Sequence, residues 1–185
     1  LYTYSTRLVV KSPKLPWADM ACAPLTYATS VHMLFDNAKL QPGETVLVHA
    51  GGSGIGTAAI KLAKAINCTV ITTVGSDEKV EKAKAIGADY AINYRKDRFE
   101  HEVRKLTKKK GVDVVFEHTG ADTFNQSLFC LRRGGRLATC GARVQVALAP
   151  AGSGKTTAMA TLAKAWRAGG GDVVGLAPTA VAAAE

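Results

Sequence analysis

From residue 45 onward the chain alternates between short apolar runs and longer amphipathic stretches. The apolar runs are Val46 to Ala50, Thr69 to Val74, Tyr90 to Asn93, Val112 to Phe116 and Arg136 to Cys140. They are rich in Val and Ile and about five residues long, as strands buried on both faces are. Between them lie Gly56 to Ile66, Asp77 to Ile86, Asp97 to Lys109 and Thr123 to Arg132, each long enough for a helix. Ser76 or Asp77 can cap the second of these helices, and Gly87 can end it. Strands alternating with helices in this way predict an α/β fold, a doubly wound parallel sheet with helices on both faces.

The first strand runs into Gly51-Gly52-Ser53-Gly54-Ile55-Gly56, which then opens a helix. Glycines at such a place let the chain turn sharply, let a pyrophosphate approach the backbone and let helix and strand pack closely. The helix N-terminus offers free N–H groups and partial positive charge to phosphates. Set between a strand and a helix, at the head of a repeated strand–helix pattern, the loop predicts a dinucleotide site. An acidic residue about 20 positions on would hold the adenosine ribose of NAD. Here the strand ends in Val74-Gly75-Ser76, with Asp77 one step later and Lys79 beyond. The hydroxyl and the nearby cation favour NADP(H) over NAD(H), while a carboxylate of Asp77 turned inward would favour the reverse.

Four phrases carry a family resemblance: "KLQPGETVLVHAGGSGIGTAAIKLAKA", "GSDEKVEKAKAIGADYAINY", "GVDVVFEHTG" and "LRRGGRLATCGA". They resemble the Rossmann-type cofactor domain of medium-chain dehydrogenases, the zinc-type alcohol dehydrogenase and quinone reductase group. Within residues 1–142, residues 41–142 resemble that domain. Residues 1–40 resemble the connection from a catalytic domain, with "PLTYATSVHML" matching the helix that leads into the fold. The resemblance implies hydride transfer between the nicotinamide cofactor and a small-molecule alcohol, carbonyl or quinone. It also implies that Gly51, Gly52, Ser53, Gly54, Ile55 and Gly56 contact the pyrophosphate, and that Ser76, Lys79 and Tyr94 contact the adenosine end. Thr119 and Gly120 would then lie near the nicotinamide ribose, with Gly141 beside the ring. By the same resemblance, the domain that supplies most catalytic residues in that family is expected to be represented only by its last strand, so no general acid or base is assigned. His49 and His118 fall at strand ends and are read as structural groups or as lining of the cofactor cleft.

Composition changes abruptly along the chain. Residues 1–142 hold every Ile, Asn, Tyr and Phe, whereas 13 of the 43 residues from 143 to 185 are Ala. That shift predicts two sources joined near Ala142 and Arg143. Downstream, a strand pattern from Val144 to Ala149 precedes Gly152-Ser153-Gly154-Lys155-Thr156-Thr157 and a helix to about Ala168. This reads as a phosphate-binding P-loop, with Lys155 on the outer phosphates of ATP and the Thr156 hydroxyl on Mg²⁺. Together with "AWRAGGGDVVGLAPTAVAAA", it resembles the start of the helicase domain of conjugative relaxases, which implies a truncated, appended strand–helix–strand unit over 143–185. The catalytic parts of that family would lie past Glu185, so ATP turnover is not expected. The three residues between the strands ending at Cys140 and starting at Val144 are too few for a parallel crossover. Those strands must pair antiparallel or lie apart.

The formal net charge is +9, of which residues 1–142 supply +7. Its densest cluster, Arg104, Lys105, Lys108, Lys109 and Lys110, falls at the end of a predicted helix, where cations complement the macrodipole. Nucleic acid is therefore not needed to explain the charge. Cys22, Cys68, Cys130 and Cys140 form no paired motif and have no His at ligand spacing, which predicts small buried side chains and no metal site. Neither a leader pattern nor an apolar run of about 20 residues appears, so a cytoplasmic protein without a membrane span is expected, one that could form oligomers.

Overall fold

The computed structural model describes residues 14–140 and 143–145. All of them lie in one unit, Leu1–Ala147. They form α1 (Trp17–Val31), a π-helical turn (His32–Asn37), β1 (Thr45–Val48), α2 (Gly54–Ala65), β2 (Thr69–Val74), α3 (Asp77–Ala85) and β3 (Tyr90–Asn93). The chain continues through α4 (Phe99–Leu106), β4 (Val112–Phe116), α5 (Ala121–Cys130), β5 (Leu131–Ala138) and β6 (Arg143–Gln145). The strands make one sheet in the order β3-β2-β1-β4-β5-β6. β1 to β5 are mutually parallel, and β6 joins antiparallel. Chain direction across the sheet reverses between β1 and β4, the place where open parallel sheets leave a crevice beyond their strand ends.

Alternating residues of each strand serve opposite faces of the sheet. Val46, Val48, Val70, Val74, Val114 and Phe116 pack with Met33, Leu34, Ala59, Ile60 and Ala63 from the π turn and α2. On the other face Leu47, Ile71, Ile92, Val115 and Leu137 meet Phe99 and Val103 of α4 and Cys130 of α5. Both faces are covered, which is why the strand sequences read as continuous apolar runs. α3 is capped by Ser76, whose Oγ accepts from the Lys79 N–H. Gly87, at φ +114°, takes the chain out of that helix.

Several boundaries differ from the sequence pattern: α2 starts at Gly54 and not Gly56, α4 stops at Leu106 and not Lys109, and others move for reasons the structure shows. The helix expected to reach Arg132 stops at Cys130, because Leu131 is buried in register with Val112 and Arg132 ion-pairs with Asp113. The last parallel strand therefore starts at Leu131 and not at Arg136. The leading helix begins at Trp17, seven residues before the Pro24 that opens the recognisable phrase, and runs through that proline. At the junction the chain takes the antiparallel alternative, with Arg136 opposite Gln145, Leu137 opposite Val144 and Ala138 opposite Arg143. The cysteines are only half as expected: Cys68 and Cys130 are buried, while Cys22 on α1 and Cys140 beyond β5 are exposed. The P-loop residues Gly152, Ser153, Gly154, Lys155, Thr156 and Thr157, like Gly141, lie outside the described residues.

Two glycines of the glycine-rich loop are required by close approach. A Cβ on Gly51 would stand 2.2 Å from Thr72 Oγ1, and one on Gly56 would stand 2.3 Å from the Ala50 carbonyl oxygen. A Cβ on Gly52 meets only the flexible Lys79 stem at 3.4 Å. Gly56→Ala is expected to lower stability by about 1–3 kcal/mol, since backbone must shift to admit the methyl group. Gly52→Ala should stay within about 0.5 kcal/mol of the parent. Urea unfolding midpoints of the two variants check the contrast.

Candidate dinucleotide-binding site

The glycine-rich loop divides into a packed part and an open part. Gly51 and Gly56 are buried, whereas Gly52 and Gly54 are exposed. The Gly51 N–H donates to the Thr73 carbonyl, which ties the loop to the end of β2. Ser53 is the N-cap of α2, its Oγ accepting from the Gly56 N–H at 3.0 Å. That cap leaves the amides of Gly52, Gly54 and Ile55 without an acceptor among the described residues. Uncommitted amides beside exposed glycines, at the positive end of a 12-residue helix, suit a phosphate group.

Beyond β4 a buried carboxylate organises the second loop. Glu117, 1% exposed, accepts at Oε1 from the Thr119 N–H, the Thr119 hydroxyl and the Gly120 N–H. Its Oε2 accepts from the Ser127 hydroxyl at 2.8 Å and from the Thr123 hydroxyl at 2.8 Å. The Ser127 proton is committed to Glu117, so at its 2.8 Å contact with His49 the Ser127 oxygen accepts, and His49 carries its proton on Nε2. Nδ1 of His49 then accepts from the Thr73 hydroxyl at 3.0 Å. The chain Thr73–His49–Ser127–Glu117 thus joins the ends of β2, β1 and β4 by hydrogen bonds of one polarity. His118 adds a ring N–H donated to the His49 carbonyl. Five donors on one carboxylate fix Thr119 and Gly120, both exposed, in the loop after β4, the strand paired with β1, whose end carries the glycine-rich loop.

The end of β2 carries the third group of residues. The Tyr94 hydroxyl lies 2.8 Å, and Arg95 Nε 3.7 Å, from where a Cβ on Gly75 would stand. Lys79 lays its stem along Gly52, bringing it back from α3 over the glycine-rich loop. Tyr94 thus stands at Gly75, and Ser76, the next residue, accepts from the Lys79 N–H while the Lys79 stem lies at Gly52. The Asp77 carboxylate accepts from Asn93 Nδ2 at 2.8 Å and ion-pairs with Lys96. Among the described residues no three His, Cys, Asp or Glu side chains gather as a metal site.

Sequence reasoning missed the residues that connect these groups. Glu117, Ser127 and Thr73 sit on separate elements, and nothing in their spacing shows that they meet across His49. Asn93 and Arg95 had a local signal, since an Asn at a strand end commonly bonds the backbone two residues on, as it does here to the Arg95 N–H at 3.1 Å.

Burial depresses the His49 pKa from 6.5 to about 4, with His118 adding to the effect and the Glu117 charge opposing it. For Glu117 burial acts upward, but His49 and the donors from Thr119, Ser127 and Gly120 bring it from 4.5 down to about 2. At neutral pH His49 is therefore neutral, Glu117 is ionised, and the hydrogen bonds carry the carboxylate. Both folded-state values lie below the unfolded ones, so both contributions to stability are present at neutral pH and lost on acidification. The His49 part fades as pH falls from 6.5 through 4 and the Glu117 part from 4.5 through 2. The melting temperature is expected to be level from pH 6.5 to about 8 and to fall on acidification below that range, with His49→Gln flattening the upper part of that decline. Circular dichroism melts across the pH range measure both curves.

Comparison with known proteins agrees with this fold. The model of a family described as zinc-binding dehydrogenase matches residues 54–165, a span that crosses the composition boundary near 142. A 2-haloacrylate reductase of Burkholderia sp is 38% identical over 141 residues, which cover 75% of this chain and 42% of that protein. The quinone oxidoreductase-like protein 2 of Rattus norvegicus is 38% identical over 124 residues, 66% of this chain and 35% of its own length. The crystal structure of Escherichia coli quinone oxidoreductase complexed with NADPH superposes with a TM-score of 0.67 at 28% identity, covering 81% of this chain and 46% of that one. The chain thus spans less than half the length of these relatives. It belongs to the zinc-binding dehydrogenase family.

Proposed function

We propose that this chain is the NADP(H)-binding part of an oxidoreductase that transfers hydride between the nicotinamide cofactor and a small alcohol, carbonyl or quinone. The observation that carries the reading is the pair of loops, Gly51–Gly56 and Glu117–Gly120, fixed to one another through His49, Ser127 and Glu117 at the sheet's reversal point. The free amides of Gly52, Gly54 and Ile55 would hold the pyrophosphate. Ser76, Lys79 and Tyr94 would hold the 2'-phosphate end, because the space of a carboxylate at position 75 is taken by the Tyr94 hydroxyl. Thr119 and Gly120 would orient the nicotinamide ribose. When bound, the nicotinamide donates or accepts the hydride, and the chain's own residues position it.

The donor set does not fit a zinc ion. Among the described residues no three His, Cys, Asp or Glu side chains form a ligand cluster, and burial pushes the Cys130 thiol up to about 12. No step is routed through metal. The division into residues 1–40, 41–142 and 143–185 is likewise proposed from the sequence, as is ATP with Mg²⁺ at Lys155 and Thr156, a reading that the matched relatives do not favour. Free thiols at Cys22, Cys68, Cys130 and Cys140 accord with a reducing compartment such as the cytoplasm.

Titration of the chain with NADPH, followed by nicotinamide emission, should give saturable binding that is tighter than for NADH. Gly54→Asp should weaken it by at least about 100-fold, since a carboxylate would repel the pyrophosphate at the helix terminus. Lys155→Ala should leave it unchanged. Absence of saturable NADPH binding by the parent chain overturns the reading.

A further inference from the structure

The charges around the end of β2 are not equally free. Lys79 and Arg95 have no hydrogen-bonded or ion-paired partner for their side chains among the described residues. Asp77 is held on both oxygens, by Asn93 Nδ2 at Oδ1 and by Lys96 Nζ at Oδ2. Asn93 is itself 7% exposed, so its amide has little freedom to turn away. Its Oδ1 accepts from the Arg95 N–H at 3.1 Å, and the Lys96 N–H donates to its main-chain carbonyl at 3.0 Å. One buried side chain therefore fixes the turn that presents Arg95 and Lys96 while fastening the adjacent acid. Ion pairing with Lys96 and the Asn93 hydrogen bond also hold the Asp77 carboxyl below its usual range.

We propose that Asn93 and Lys96 are specificity-determining residues acting through Asp77. They draw its carboxylate toward the β3–α4 turn, leaving Lys79 and Arg95 to set the sign of charge around Gly75, so that a 2'-phosphorylated adenosine ribose is accepted and a bare diol is not favoured. An acid one residue past the cap of α3 would otherwise repel a dianionic phosphate and offer two acceptors to a ribose diol. Lys96 is a positioning residue in this account, and Arg95 joins Lys79 as a direct phosphate contact. The inference rests on NADP(H) being the preferred cofactor.

The test is the ratio of NADH to NADPH dissociation constants for the full chain and four variants. Lys96→Ala should lower the ratio by about tenfold, by weakening NADPH and tightening NADH together. Adding Asp77→Asn should return the ratio to within about twofold of the parent. Adding Asp97→Asn instead removes the same net charge from a neighbouring carboxylate that acts on Lys96 through its charge and makes no bond to Asn93 Nδ2, and it should leave the ratio low. Asn93→Ala should act in the same direction as Lys96→Ala, with chemical denaturation showing whether the variant is folded. If the parent prefers NADPH but Lys96→Ala leaves the ratio unchanged, the cofactor reading stands and the clamp is wrong. Rescue by Asp97→Asn equal to that by Asp77→Asn also overturns the clamp, reducing it to net charge. A parent chain that binds NADH as tightly as NADPH overturns both.

Discussion

Glu117 sits at the end of a central strand, where water does not reach and where an unpaired carboxylate would not stay ionised. It stays ionised because five donors converge on it, three from the loop that follows β4 and two from α5. That convergence determines the shape of the loop: the Thr119 and Gly120 amides point to Oε1, and Gly120 takes φ +91° to open α5. Through Ser127 and His49 the same carboxylate reaches the start of the glycine-rich loop, and through Thr73 the end of β2. The three segments that would grip a dinucleotide are thereby parts of one hydrogen-bonded unit, not loops placed independently. Removal of any single donor leaves a buried charge short of a partner, which is costlier than the loss of an ordinary surface bond.

The sheet supplies the rigid frame on which this unit works. Parallel strands covered on both faces put the ends of β1, β2 and β4 side by side, and their separation is set by backbone pairing. Gly51 and Gly56 let α2 start directly against the sheet, so its N-terminus opens into the crevice. Packing and binding are divided within a single loop: glycines that cannot bear a Cβ hold the helix in place, and exposed Gly52 and Gly54 leave the backbone accessible. At the opposite edge of the strands Asp113, Arg132, Glu44 and Arg136 join β1, β4 and β5 by ion pairs, which secures the frame without touching the site.

Much of this is written locally and was legible in the sequence. The strands β2, β3 and β4 have the limits their apolar runs predict, and the cap at Ser76 and the stop at Gly87 follow from residue type. The glycine-rich loop was legible because its chemistry is contiguous. Boundaries failed where a long-range contact decides them: Cys130 ends α5 because Leu131 and Arg132 find Val112 and Asp113, which no local pattern records. Glu117 escaped notice for the same reason, since its meaning lies in Ser127 and His49, 10 and 68 residues away in the chain. Asp77 could be read either way from the sequence, and its contacts with Asn93 and Lys96, 16 and 19 residues on, are ones that no local pattern records.

Joined through His49, Ser127 and Glu117, the loops after β1 and β4 would act as one cofactor site. Backbone amide chemical shifts followed during NADPH addition to the isotopically labelled chain test it most directly. The prediction is that Gly52, Gly54 and Ile55 shift together with Thr119 and Gly120 along a single binding curve. Shifts confined to one loop, or two loops responding at different NADPH concentrations, would contradict it.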